Sequence, residues 1–473
     1  MLSEDILYLP VTELSKRVRA RQISPVELAE SYLDRSRKIG PKLNAYVTLT
    51  PELALQQARA AEKEIGAGKY RGPLHGIPYA AKDLLAVKGY PTTWGAKPYA
   101  SQRIERDATV IRKLNDAGAV LIGKAAMIEL AGGMGYRYAS AAFTGPAKNP
   151  WNTDHWTCGS SSGSGAIMAA GLAAFALGTE TWGSILCPSG FCGVSGLRPT
   201  FGRVSRAGAM ALAYSMDKIG PMCRIANDCD LVLQAIAGHD ADDAGTLPEA
   251  AAKYNGAKET RTESLRLGWL SNQWKELAQD VAEPVKAARK VLEGISTLKV
   301  KEVALPDGPW EVAAGTIVSV EGASAFRDLI HSGQVAELND PAGKVGGYLN
   351  EEISASDFLL AQRVRRILQE KIDHLFAEVD VLVTATLPVT APKIDANLDL
   401  SLSFADPIGG IGNICGLPAI SVPCGFGNGN LPVGLQLLAR PLDDGAVVMA
   451  ARRFQEKTDW HQRHPKIALN TSL

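Results

Sequence analysis

The sequence predicts an α/β fold, with helices covering both faces of a central sheet, built as one large domain over residues 1–473. Three observations carry that reading. From residue 70 onward, short apolar runs alternate with helix-periodic stretches, the pattern of strands buried between helices. The helices carry legible start signals. No internal repeat, low-complexity tract or linker interrupts the chain, so the roughly three domains that its length alone would allow are not expected.

Val11, Leu14 and Val18 recur at helical spacing. A second helix starts with Ser24 as N-cap, Pro25 at the first helical position and Glu27 completing a capping box. A third, Pro51 to about Ile65, is rich in alanine and glutamate, making residues 1–68 a helical layer over something larger. Residues 70–225 read as a core. There Gly76–Asp83 is a strand, with Tyr79, Ala81 and Asp83 on one face and Ala80, Lys82 and Leu84 on the other. Asp107–Ala117 is helical, Ala119–Gly123 a buried strand, Ser164–Ala170 a helix and Ala173–Leu177 a strand. Residues 149–156, polar and broken by proline, are poor strand material. After a helix from 225 and a polar, alanine-rich connection, a variable region over 240–370 holds strands Arg266–Leu270 and Val300–Leu305, with helices from about Pro284 and Glu311. A long helix, Ala355–Glu378, leads into the strand Val381–Val383. Leu417–Pro423 and Val433–Leu438 then return to the sheet within 380–440.

With 46% hydrophobic residues the chain can bury a large core, and Lys plus Arg equal Asp plus Glu at 50 each. Balanced charge removes the general footprint of a nucleic-acid or anionic-membrane binder, and the basic run over 16–21 reads as a solvated helix face. The seven cysteines are scattered without CxxC spacing, which fits small buried residues in a reducing compartment. The N-terminus lacks a basic start followed by an uninterrupted apolar core. No window approaches the ~18 apolar residues of a membrane span. The expectation is a cytoplasmic monomer or homodimer that acts on a small molecule, with no nucleic-acid or membrane partner.

Chemistry concentrates in residues 158–199, where two glycine- and serine-rich runs flank a small-residue apolar segment. Glycine lets the backbone turn tightly and approach a ligand, and serine supplies a potential nucleophile in the same turns. Ser160 and Ser184 stand near the ends of the two runs. Ser161 is the centre of a GxSxG match, the nucleophile elbow of α/β-hydrolases, but that motif requires a strand immediately before it. No run continues into a phosphate-binding loop, and the seven histidines have no ligand spacing, so neither a metal nor a cofactor is expected. His75 and His155 lie near the loops and read as packed or surface residues. Lys82 is the more informative base. Burial disfavours its ammonium form, and a neutral amine near pH 7 is a general base. A lysine snorkelling from the strand end is the alternative, and spacing alone leaves both open.

Taken together these residues resemble the amidase signature enzymes, whose pattern is GGSSGGS…GTDxGGSxRxPS with a CG-x-x-G-hydrophobic-[KR]-P-T tail. The matching stretches are Cys158–Ser164, Gly178–Ile185, Cys187–Ser189 and Cys192–Thr200. Similarity extends to Gly76-Ile77-Pro78 with Lys82-Asp83, to Gly123-Lys124, to Thr144-Gly145-Pro146 with Asn149-Pro150-Trp151, and to Asp217–Met222 and Gly416–Pro423. The resemblance implies a central twisted mixed sheet and a Ser–cis-Ser–Lys triad. In it Ser184 is the nucleophile, Ser160 the bridging serine in a cis peptide and Lys82 the base. Backbone amides of Thr181, Trp182, Gly183 and Ser184 would form the oxyanion hole, worth about 3–4 kcal/mol per donor. The relay would pass a proton from Ser184 through Ser160 to Lys82 and return it to the leaving amine, and water would release the acyl-enzyme.

The chain departs from the pattern at Ser162, at Cys158 and, most consequentially, at Glu180-Thr181-Trp182, where Asp-x-Gly is common. Trp182 is expected to shape the substrate pocket together with Tyr136, Gly133, Met134 and Ile185. The expected function is a stand-alone hydrolase of a non-peptide amide, aryl amide, carbamate or ester. The alternatives are the A subunit of a glutamyl-tRNA amidotransferase, an α/β-hydrolase using Ser161, and a non-catalytic binding protein on the same fold.

Overall fold

Among the described residues there are thirteen strands: β1 (Tyr46–Leu49), β2 (Pro78–Lys82), β3 (Val120–Ala125), β4 (Lys148–Asn149), β5 (Asn152–Trp156), β6 (Phe175–Glu180), β7 (Ser195–Arg198), β8 (Lys218–Cys223), β9 (Leu265–Leu270), β10 (Leu298–Val303), β11 (Val381–Ala385), β12 (Ala419–Phe426) and β13 (Pro432–Ala439). This is a computed structural model, and it describes residues 1–257, 264–402 and 406–467. Eleven of the strands form one mixed sheet in the order β1-β3-β2-β6-β8-β7-β12-β13-β11-β9-β10. Helices on both faces close it into a single large α/β domain.

The centre of the sheet positions the chemistry. Strands β2, β3, β6 and β8 are buried along their whole length, as the apolar runs of a sheet covered on both faces require. Strand β2 pairs in parallel with both β3 and β6. Parallel neighbours bring their C-terminal ends to the same sheet edge, where ligands of open α/β sheets bind. Lys82 at the end of β2 and Thr179-Glu180 at the end of β6 therefore emerge side by side. The antiparallel pairing of β6 with β8 sets Glu180 opposite Lys218.

Two helix starts are capped by serine, although the Glu27 half of the expected capping box does not form: the Glu27 carboxylate pairs with the Met1 amine at 3.9 Å. Ser24 accepts hydrogen bonds from the Val26 and Glu27 amides at the head of the helix Pro25–Leu43, and Ser354 accepts from Asp357 at the head of Ala355–Glu378. Three further expectations need correction. Residues 149–156 do form strand: β4 and β5 make a two-stranded ribbon off the main sheet. Polar residues suffice there because β5 is completed by distant chain, with the Trp156 amide donating to the Pro392 carbonyl at 3.0 Å. The helix near Pro284 begins earlier, at Gln279, with the proline inside it. Strands β1, β7 and β8 are further members of the sheet, short and glycine-bearing or at its edge, where local pattern is weakest. Among the described residues no helix is long and apolar enough to cross a membrane.

Candidate active site

Lys82 is wholly buried. Its amine lies 2.8 Å from Ser160 Oγ, 2.8 Å from Thr179 Oγ1 and 3.4 Å from the Thr179 carbonyl oxygen. Burial pushes its pKa down to about 7, against the opposing pull of Asp217 and Glu180. The side chain does not snorkel. The next residue, Asp83, turns to the other face as strand alternation demands. It is spent on Lys124, whose amine is 2.9 Å from the Asp83 carboxylate with both groups fully buried, and on the Thr93 amide at 3.0 Å.

Ser160 follows a cis peptide bond with Gly159, and its carbonyl accepts from the Ile128 amide at 3.2 Å. Ser161 bridges the loops. Its hydroxyl accepts from the Thr179 amide and donates to the Thr179 carbonyl, both at 3.2 Å. Its own amide donates to the Ser184 carbonyl at 3.3 Å. With its hydroxyl committed to the end of β6, Ser161 is a tie between the loops, and the strand before it, β5, belongs to the two-stranded ribbon and not to the main sheet from which a nucleophile elbow projects. Lys82, Ser160, Thr179 and the Ser184 backbone are thereby drawn to one place from separate parts of the chain.

The loop carrying Ser184 is held by three carboxylates, one of them, Glu180, fully buried. Glu180, where the pattern has aspartate, accepts the amides of Ile185 at 2.9 Å and Leu186 at 3.0 Å, just after the serine and at the head of the helix Leu186–Cys192. It also accepts from Arg198 at 2.7 Å and Asn413 Nδ2 at 3.2 Å. Burial opposes its ionisation, but Arg198, Lys218 and the Ile185 amide outweigh that and hold the carboxyl below its usual range. Thr181 Oγ1 donates to Asp217 at 2.5 Å. Trp182 Nε1 donates to Asp406 at 3.2 Å, and burial raises the Asp406 carboxyl to about 6 against the Gly409 amide and Trp182. The amides of Trp182, Gly183 and Ser184 make no backbone hydrogen bond among the described residues. Gly183 has a left-handed φ of 77°, a conformation glycine adopts without penalty. Three adjacent free N–H groups beside a serine can stabilise a developing oxyanion.

Comparison with known proteins places this arrangement. The family model described as Amidase matches residues 27–448. The chain belongs to the amidase family. The A subunit of the glutamyl-tRNA(Gln) amidotransferase of Dehalococcoides mccartyi is 35% identical over 98% of this chain and all of its own length. The peptide amidase of Stenotrophomonas maltophilia superposes with a TM-score of 0.84 at 30% identity, covering 95% of this chain and 96% of its own. A structure described as a vestigial protein complex revealing the origins of an s-triazine catabolic enzyme superposes with a TM-score of 0.86 at 27% identity, covering 95% and 98%. The family and these neighbours make the chain an enzyme of the amidase class, a hydrolase of amide C–N bonds.

The family resemblance pointed to residues that lie in different surroundings. Trp182 is half-buried on the serine loop. Tyr136 packs edge-on against Trp156, centroids 6.1 Å apart, in a small apolar cluster with Cys158 and Cys187 that flanks both serine loops. Ile185 is fully buried; its branches face Gly178, Gly196 and Gly220, behind the loop and inside the sheet. Met134 is buried against Gly347, and Gly133 against Leu212 and Phe326. A cavity of about 220 Å³ adjoins the loop on its other side, lined by Thr179, Thr181, Asp217, Lys218, Arg206 and Tyr214 among others. His75 and His155 bond to the Arg71 amide and the Ala391 carbonyl. Thr179 and Arg198 were not singled out in the sequence. Local pattern gave no signal for Thr179: the register pairs Ala81 with Leu177, so alternation alone assigns Thr179 to the face of Asp83 and not to that of Lys82.

Proposed function

We propose that this chain hydrolyses a carboxamide C–N bond through an acyl-enzyme on Ser184, with Ser160 as proton relay and Lys82 as base. The observation that carries the reading is the buried Lys82 amine 2.8 Å from Ser160 Oγ. A neutral amine there accepts the Ser160 proton as Ser160 takes one from Ser184, which attacks the carbonyl carbon. The carbonyl oxygen becomes an anion facing the amides of residues 182–184. Collapse expels the amine, which leaves with the relayed proton, and water then cleaves the acyl-serine. A fluorophosphonate should label the peptide containing Ser184, and Ser184→Ala should abolish both labelling and turnover. Label on Ser161 instead would sink the assignment.

For the substrate, full-length identity of 34–36% to A subunits of glutamyl-tRNA(Gln) amidotransferases supports glutamine as amide donor, with ammonia delivered to partner subunits. This displaces the stand-alone hydrolase of neutral amides, carbamates or esters as the leading reading. One observation favours the stand-alone enzyme: the Trp182 indole, where the pattern has glycine, adds bulk beside Ser184 and occupies Asp406. Ammonia release should be assayed from glutamine, with and without amidotransferase partner subunits, beside a panel of anilides, primary amides, carbamates and esters. Turnover of the panel but not of glutamine under either condition would reverse the order.

A further inference from the structure

Glu180, Thr181 and Trp182, the residues before Gly183 and Ser184, are each anchored by a side chain. Glu180 and Trp182 are anchored to the same short helix, Pro407–Ile414. Asn413 in its last turn donates to Glu180 at 3.2 Å. Asp406, its N-cap, accepts from Trp182 Nε1 at 3.2 Å with one oxygen and from the Gly409 amide at 3.0 Å with the other. The helix is itself tied down, because the Asp406 amide donates to the Glu311 carboxylate at the head of the helix Trp310–Ala325. Gly409 leaves the room this needs: a Cβ there would overlap the Asp406 carboxylate and crowd Trp182 Nε1.

The next residue, Gly183, is a swivel, and the direction of its amide and that of Ser184 depends on what holds residue 182. Where the family pattern has glycine at 182 no side chain can do so; in this chain an indole does. We propose that Asp406 is a positioning residue for the hydrolytic reaction, acting through the Trp182 indole to aim the Gly183 and Ser184 amides at the reacting oxygen. The inference rests on the assignment of Ser184 as nucleophile.

The rate of Ser184 labelling by a fluorophosphonate tests it, because the phosphoryl oxygen takes the place of the carbonyl oxygen. Trp182→Phe keeps the ring and loses the donor. Asp406→Ser keeps a helix-capping oxygen but is too short to reach the indole. Each should slow labelling about tenfold, less than the ~10²–10³ lost when an oxyanion donor is removed outright. The double variant should be no slower than either single one, since both remove the same bond. Asp406→Asn keeps one acceptor oxygen for two donors, the indole and the Gly409 amide, so its rate should fall between those of Asp406→Ser and the wild type. Trp182→Phe labelling at the wild-type rate, or losses that multiply in the double variant, would overturn the inference while leaving Ser184 as nucleophile. Wild-type label on another residue would overturn the nucleophile assignment and this inference with it.

Discussion

The Lys82 amine sits between two hydroxyls in a fully buried setting, with its pKa lowered to about 7 by burial. The sign of the pH dependence follows. As a base it works unprotonated, so kcat/KM should fall as pH drops below about 7 and level off above it. A flat profile down to pH 5 would exclude a lysine base. Lys82→Ala and Ser160→Ala should each lower kcat by about 10³-fold or more with the fold retained, since members of a relay fail as a unit; circular dichroism and steady-state kinetics together check this. Asp83 and Lys124 are the neighbouring pair that strand alternation turns away from the relay. Lys124→Met strands a buried carboxylate and should cost about 3–5 kcal/mol in denaturant unfolding, with much of the loss recovered when Asp83→Asn is added.

At the scale of elements, two loops and two short helices have to be held in register. The helix Ser162–Ala169 follows directly from Ser160 and Ser161, and Gly163 lets it lie against the backbone of Ala45 and Ala126. A Cβ at 163 would overlap both. Gly163→Ala should therefore destabilise by about 1–3 kcal/mol, the usual range for overpacking, and should lower kcat as well because the shift moves the relay serine. A melt and a kcat measurement on the same protein decide this; full activity with a lowered melting temperature would show the helix and loop to be uncoupled. The glutamate at 180 has a comparable role. Its carboxylate caps the start of the helix after Ser184 and holds Asn413 on a second helix, so the longer side chain still serves the serine loop.

At the scale of the molecule, the sheet brings β2 and β6, about a hundred residues apart in sequence, to adjacent parallel positions, and the C-terminal edge they share becomes the site. The helices Trp310–Ala325 and Pro407–Ile414, from the half of the chain with the least recognisable pattern, brace the serine loop from the far side. Substrate choice belongs to this scale. Glutamine turnover that appears only with partner subunits would mark the chain as part of an assembly, and turnover of simple amides by the purified chain alone would mark it as self-sufficient.

Sequence by itself determined the α/β class, the capped helices, the strand that carries Lys82 and the two serine loops. Each is local: caps, period-two alternation and glycine turns act over a few residues, and the family pattern reads along the chain. Alternation already placed Asp83 on the face away from Lys82. The family resemblance already points to Ser160 as the serine that meets the lysine; only the tertiary structure decided that Ser161 is consumed in tying the loops together, and that Ile185, Met134 and Gly133 are buried. Those outcomes depend on contacts between segments up to about 230 residues apart, such as Asn413 with Glu180 and Asp406 with Trp182. No local pattern encodes such contacts, because whether a buried carboxylate keeps its charge or a lysine loses its proton is set by the groups that folding brings around it.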